Sequence, residues 1–185
     1  VSGFLLKPAT EEDVRTALDN LRYPVPERSS AESWKGAHEQ QNELLAVQCF
    51  GNFEVFWGGI PLHFQRSKSK ELLAYLVDRR GASCTIGELI GILWEDKSET
   101  RSLRSQCRNL IYDLRKTFQR NGIKDILIRS RNSVAIDCHM LDCDYYRFLD
   151  HDAAAVNQYR GEYMAQYSWA EMTIANLENM SKQAE

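Results

Sequence analysis

Apolar residues recur along this chain with two periods, and the switches between them mark out the elements. Gly3-Phe4-Leu5-Leu6-Lys7 is a short apolar run closed by Lys7-Pro8, which predicts a buried strand emptying into a turn. Thr10-Glu11-Glu12-Asp13 is a helix-start pattern with acids at the positive helix end, and Val14, Ala17, Leu18 and Leu21 follow at helical spacing. Tyr23-Pro24-Val25-Pro26 stops that helix. The following stretch to Glu43 is rich in Ser, Glu, Gln and Ala, buries too little to offset its ordering entropy, and predicts a linker over 24–43.

From Leu44 the period changes to that of strands. Leu44 to Phe50 and Asn52 to Trp57 are β-rich runs broken by Gly51, and Gly58-Gly59 turns the second into Ile60 to Phe64, so a small antiparallel sheet is expected. Three helices follow. The first runs from Lys68 to Arg80 with Leu72, Leu73, Tyr75, Leu76 and Val77 as its apolar face and Gly81 beyond its end. The second opens on Thr85-Ile86-Gly87-Glu88, a capping-box pattern, and continues through Leu89, Ile90, Leu93 and Trp94. Thr85 reads either as a simple cap or as a backbone-phosphate contact at a helix N-terminus. The third helix begins near Ser98 to Arg101 and ends at Asn121-Gly122, a span of about 30 Å. Ile126 to Arg129 and Ser133 to Asp137 then predict a hairpin with a basic tip at Ser130-Arg131-Asn132.

Composition bounds this picture without changing it. With 185 residues and 43% hydrophobic content, the chain can build one domain or two small ones. No apolar run approaches the roughly 18 residues needed to span a bilayer, and Val1-Ser2-Gly3-Phe4 does not look like a signal peptide, so a cytoplasmic protein that avoids membranes is expected. Cys49, Cys84, Cys107, Cys138 and Cys143 are scattered and read as free buried thiols. Cys138, His139, Cys143 and His151 lack the paired spacing of a zinc site, and neither metal nor cofactor is expected.

Charge sharpens it. The net charge of −3 is unevenly spread: residues 1–43 hold 5 Lys/Arg against 8 Asp/Glu, residues 44–137 hold 15 against 10, and residues 138–185 hold 3 against 8. A basic middle between acidic flanks suits a polyanion in the middle and protein partners at the flanks.

On a helical wheel Leu103, Cys107, Leu110, Ile111, Leu114 and Phe118 fall within an arc of about 100°. Arg101, Arg104, Arg108, Arg115 and Tyr112 gather on another face, continued by Ser105, Lys116 and Asn109, and the helix's acid, Asp113, lies on a different side. A solvated helix face usually mixes both signs, so this stripe reads as a nucleic-acid footprint. Arg101, Arg104, Ser105, Arg108, Asn109 and Tyr112 are the expected base readers, because an arginine fork fits guanine and an asparagine fits adenine. Arg66, Lys68, Lys70, Thr85, Arg115, Lys116, Arg129, Arg131 and Asn132 are the expected backbone contacts, which position without specifying. Sheet, three helices and hairpin together predict an α+β winged helix-turn-helix over 44–138, with its third helix in the major groove and its hairpin as a wing.

Residues 45–137 resemble the OmpR/PhoB-type winged helix in the variant found in bacterial SARP-like activators. The resemblance rests on Cys49-Phe50-Gly51-Asn52-Phe53-Glu54-Val55 for the N-terminal sheet, on the stretch from Arg66 to Leu76 for the first helix, and on Arg108-Asn109-Leu110-Ile111-Tyr112-Asp113-Leu114-Arg115-Lys116 for the recognition helix. Asp142-Cys143-Asp144-Tyr145-Tyr146-Arg147-Phe148-Leu149 and Tyr159-Arg160-Gly161-Glu162-Tyr163, ending at Trp169-Ala170-Glu171, look like the start of the helical activation domain that follows such winged helices. A small all-α segment over 139–185, with a capping or dimer-forming role, is therefore expected. Residues 1–23 resemble the last strand and helix of a response-regulator receiver, in which Lys7 would be the lysine that contacts the aspartyl phosphate. The resemblance implies the output part of a two-component regulator without its intact input, acting on double-stranded DNA, with RNA polymerase and a second copy of the chain as protein partners.

One rival is a protein-interaction module whose basic helix binds an acidic partner, such as polymerase, without selective DNA readout. Catalysis is not expected. No G-x-S-x-G elbow, HExxH or Gly-rich phosphate loop occurs, and His38, His63, His139 and His151 stand in no recognisable catalytic context.

Overall fold

The computed structural model describes residues 44–95 and 97–181. The expected strand, helix and linker of residues 1–43, Lys7 included, lie outside the described residues.

Leu45–Gln48 (β1) and Glu54–Trp57 (β2) form an antiparallel pair in which Val47 faces Val55. Their sequence alternates, and so does their burial: Leu45, Val47 and Val55 are inside. β2 turns back into Ile60–Pro61 (β3) through Gly58 and Gly59, with Trp57 opposite Ile60. Both glycines have positive φ, at 56° and 76°, as a two-residue hairpin turn of the primed type requires.

The first helix, Ser67–Asp78 (α1), is more enclosed than an amphipathic pattern implies, because every residue from Leu72 to Val77 is buried. Two helices pack on it, and side chains from the C-terminal stretch cover its other side. After α1 the backbone takes left-handed φ at Arg80 and Gly81, and a Cβ at Gly81 would stand 3.2 Å from the Cys138 sulfur. Glycine is the residue that meets both demands at that position. Cys84–Thr85 (β4) leads directly into Ile86–Leu93 (α2), capped by the Thr85–Glu88 box. The third helix, Arg101–Arg120 (α3), is 20 residues long and is capped by the Thr100 side chain. Its buried side comprises Leu103, Cys107, Leu110, Ile111, Leu114, Thr117 and Phe118, which pack towards α1 and α2. Leu127–Arg129 (β5) and Ser133–Ile136 (β6) form the predicted hairpin, and β4 joins it to give a sheet of order β4-β6-β5. Three helices backed by one sheet and flanked by a hairpin make a winged helix-turn-helix.

The stretch after β6 departs from a purely helical segment. Its first element beyond a 3-10 turn is a strand, Leu141–Cys143 (β7), which pairs in parallel with β1 and gives the first sheet the order β3-β2-β1-β7. Three helices follow: Asp144–Leu149 (α4), Ala153–Gln158 (α5) and Glu171–Ser181 (α6). Side chains from α4, α6 and the loop between α5 and α6 reach α1 from the far side. Tyr146 donates its hydroxyl to the Val77 carbonyl at 2.7 Å, and Asp78 accepts from the Tyr163 hydroxyl at 2.9 Å and the Thr173 hydroxyl at 2.8 Å. Trp169 meets Tyr75 edge-on at 5.3 Å, and Phe50, Phe148 and Tyr159 form an aromatic cluster over β1. All described residues belong to one compact unit.

Candidate nucleic-acid interface

The interface is built on α3, and its geometry follows from the split between the two sides of that helix. The core residues occupy one arc and leave Arg101, Arg104, Ser105, Arg108, Asn109, Tyr112, Arg115 and Lys116 exposed. Arg101, Arg104, Arg108 and Arg115 repeat at helical spacing along one line, spanning about 21 Å from first to last. Tyr112 is 52% exposed between them, which is unusual for so large an aromatic, and the Lys116 ammonium lies 5.1 Å from its ring centroid. The face therefore carries cations, amides and an aromatic. The one acid of the helix, Asp113, is half-buried off to the side.

Beside α3 stands the hairpin. Ser130 donates its N–H to the Ser133 carbonyl at 3.0 Å, so Arg131 and Asn132 form a tight, exposed tip. The tip is anchored to the helices, because the Asn132 carbonyl accepts the Ile86 N–H at 3.1 Å at the start of α2. Between the last turns of α3 and β5 lies a cleft of about 260 Å³. Arg115, Lys124 and Arg129 stand on its walls together with one acid, Asp125, and Phe118, Ile123 and Ile126 are among its apolar residues. Lys124 went unnoticed in the sequence, since an isolated lysine in a short connection carries no periodic signal.

The remaining expected backbone contacts are placed differently from a free clamp. Arg66 lies 3.1 Å from Asp113 as an ion pair, although the Asp113 oxygen lacks an aligned hydrogen bond. Lys68 pairs with Glu71 at 2.8 Å, and Lys70 with Glu54 at 2.7 Å. These pairs are partly exposed and each contributes little to stability, so DNA phosphates can compete for the cations. The three are nevertheless held in the free protein, unlike Arg129 and Arg131, which make no ion pair among the described residues. Thr85 closes a complete capping box. Its hydroxyl accepts the Glu88 N–H at 3.2 Å, its own N–H goes to the Glu88 carboxylate at 2.9 Å, and that bond holds the Glu88 carboxyl below its ordinary range. The cap is thus satisfied internally.

The cysteines expected as buried thiols are free, with Cys138 alone half-exposed. Burial pushes the Cys107 thiol up to about 11 on the core side of α3, against a smaller lowering from Arg108. The residues that do come together are Cys49, Cys143 and Asp144, with sulfurs 3.5 Å apart. Both carboxylate oxygens of Asp144 are engaged by backbone, accepting the N–H groups of Cys49, Phe50 and Tyr145 at 2.8, 3.0 and 2.7 Å. Its chemistry is that of a structural clamp.

No family model matches the chain, and no curated protein matches it. Among solved structures it is similar to Mycobacterium tuberculosis EmbR, determined in complex with a low-affinity phosphopeptide, at 20% identity and a TM-score of 0.64. The match covers 77% of this chain and 44% of EmbR, so the chain spans less than half the length of that protein. The likeness shows the winged-helix fold. Among the described residues no helix is long and apolar enough to cross a membrane.

Proposed function

We propose that this chain is a sequence-specific DNA-binding regulator of transcription, with α3 in the major groove and the β5–β6 hairpin as its wing. One observation carries the reading: the exposed face of α3 presents Arg101, Arg104, Arg108 and Arg115 in line, with no acid of the helix among them. Arg101, Arg104, Arg108, Asn109 and Tyr112, with Ser105 at the margin, face base edges. Arg115 and Arg129 stand on two elements of one cleft, which suits a phosphate strand passing from the groove under the helix to the groove under the wing. Arg131 and Asn132 reach the neighbouring backbone.

The wider assignment is to the output part of a bacterial two-component response regulator of the SARP-like kind, non-catalytic and cytoplasmic, with RNA polymerase as protein partner and dimerisation on paired half-sites. The sequence resemblance supports this, with Lys7-Pro8 for the receiver and the acidic stretch after 138 for a protein contact. The winged-helix likeness to EmbR agrees with the regulator class.

Selection of bound sequences from random double-stranded DNA tests the proposal. A defined site is expected, and Arg108→Ala is expected to lose about 1–3 kcal/mol of discrimination at one base pair. Arg131→Ala is expected to weaken all sequences alike and to reduce the slope of log K against log salt by about 0.9. Selection of no sequence, or the same unselective loss in both variants, refutes it and favours the acidic-partner reading.

A further inference from the structure

Of the four arginines in line on α3, Arg104 alone is held by another side chain of the protein among the described residues. Glu99 accepts a hydrogen bond from its Nε, and both side chains are exposed, at 38% and 53%. The acid is not placed by chance of a floppy loop. It precedes Thr100, whose hydroxyl accepts the Leu103 N–H at 3.2 Å, so the first turn of α3 fixes the backbone beside it. On its other side the second carboxylate oxygen lies 3.5 Å from where a Cβ would stand on Gly87, in the first turn of α2. The starts of two helices thus meet at this carboxylate.

A guanidinium has three nitrogens, and Glu99 occupies Nε. No protein group among the described residues takes Nη1 or Nη2. Those two form the end-on fork that matches O6 and N7 of guanine. An arginine immobilised before binding loses less rotamer freedom when the base contact forms. The same carboxylate repels the phosphates around it, which lowers affinity for DNA of any sequence. Since an exposed ion pair adds little to fold stability, fold stability alone does not account for an acid beside a cationic reading face.

We propose that Glu99 is a positioning residue: by holding Nε it presents the Arg104 fork end-on to a guanine, setting selectivity at one base pair while weakening DNA binding as a whole. The inference rests on the DNA-reading proposal above. It adds a residue outside the reading helix, opposite in charge to the arginines it stands beside.

The test uses the full chain and random double-stranded DNA, followed by anisotropy on the selected site and its single-position variants. Wild type is expected to prefer guanine at one position by about tenfold or more, and Arg104→Ala to lose that preference. Glu99→Ala is expected to bind unrelated DNA about threefold more tightly while losing most of the preference at that same position and no other. Glu99→Gln, which keeps an oxygen acceptor but not the charge, is expected to gain the affinity and retain most of the preference. An unchanged preference in Glu99→Ala, or an equal loss at every position, overturns the assignment while leaving selective reading by α3 intact. A wild type that selects no sequence overturns the DNA-reading proposal itself, and this one with it.

Discussion

Replacing Asp144 by alanine is expected to destabilise the whole unit, because its carboxylate ties the end of β1 to the start of α4. The side chain is 3% exposed and accepts three backbone N–H groups, from Cys49, Phe50 and Tyr145. Alanine would leave three donors in the interior without partners, each costing about 1–3 kcal/mol. Partial relaxation lowers the sum, and a loss of about 3–6 kcal/mol is expected, against a usual total of about 5–15 kcal/mol for a domain. Asparagine keeps one oxygen acceptor but turns an NH2 towards a backbone donor, so Asp144→Asn should fall between the two. Urea unfolding decides the matter when followed both by circular dichroism and by tryptophan emission, since Trp57 lies in β2 and Trp169 in the C-terminal stretch. The midpoint should drop with an unchanged slope and coincident probes. A loss below about 1 kcal/mol, or a C-terminal transition that separates from an unaltered winged helix, would refute the clamp.

Two further outcomes follow from the same packing. Tyr163→Phe removes a hydroxyl that donates to Asp78 at 2.9 Å but keeps the ring against Tyr145, so a loss of about 1–2 kcal/mol in thermal unfolding is expected; an unchanged Tm would show that the bond adds nothing. Alkylation of the native protein near neutral pH should modify Cys138 first, because it is half-exposed while Cys49, Cys84, Cys107 and Cys143 are buried, with burial raising the Cys49 and Cys107 thiols. Equal labelling of Cys107, read by mass spectrometry, would contradict the seating of α3.

The long helix was legible because its signals agree, with an apolar residue at each helical return from Leu103 to Phe118 and Asn121-Gly122 at its end; the Thr100 cap is what the structure adds at its start. The hairpin and the Gly58-Gly59 turn were legible for similar reasons. What escaped were elements too short to show a period. β4 has two residues and β7 three, and β7 exists because β1, distant in sequence, offers it an edge. The same holds for the site. The wheel placed four arginines in line, yet it carried no information on the partners of Arg66, Lys68 and Lys70, which come from other elements or from the turn below. Glu99 was passed over because it lies outside α3, across the cap from the residue it holds.

The paired strand and the hydrogen bonds at the end of α1 tie the C-terminal stretch to the support of α3. α3 packs against α1, and the far end of α1 is held by Tyr146 at Val77 and by Tyr163 and Thr173 at Asp78. Removing the residues after Cys138 would strip β1 of its parallel partner, leave the Cys49 and Phe50 N–H groups unbonded and open the Tyr75 side of α1 to water. A winged helix trimmed at the hairpin would therefore lose the backing of the helix that supports α3. The arginines are displayed by α3, which packs on α1, and α1 is in turn held on its other side by side chains of the acidic segment after residue 138.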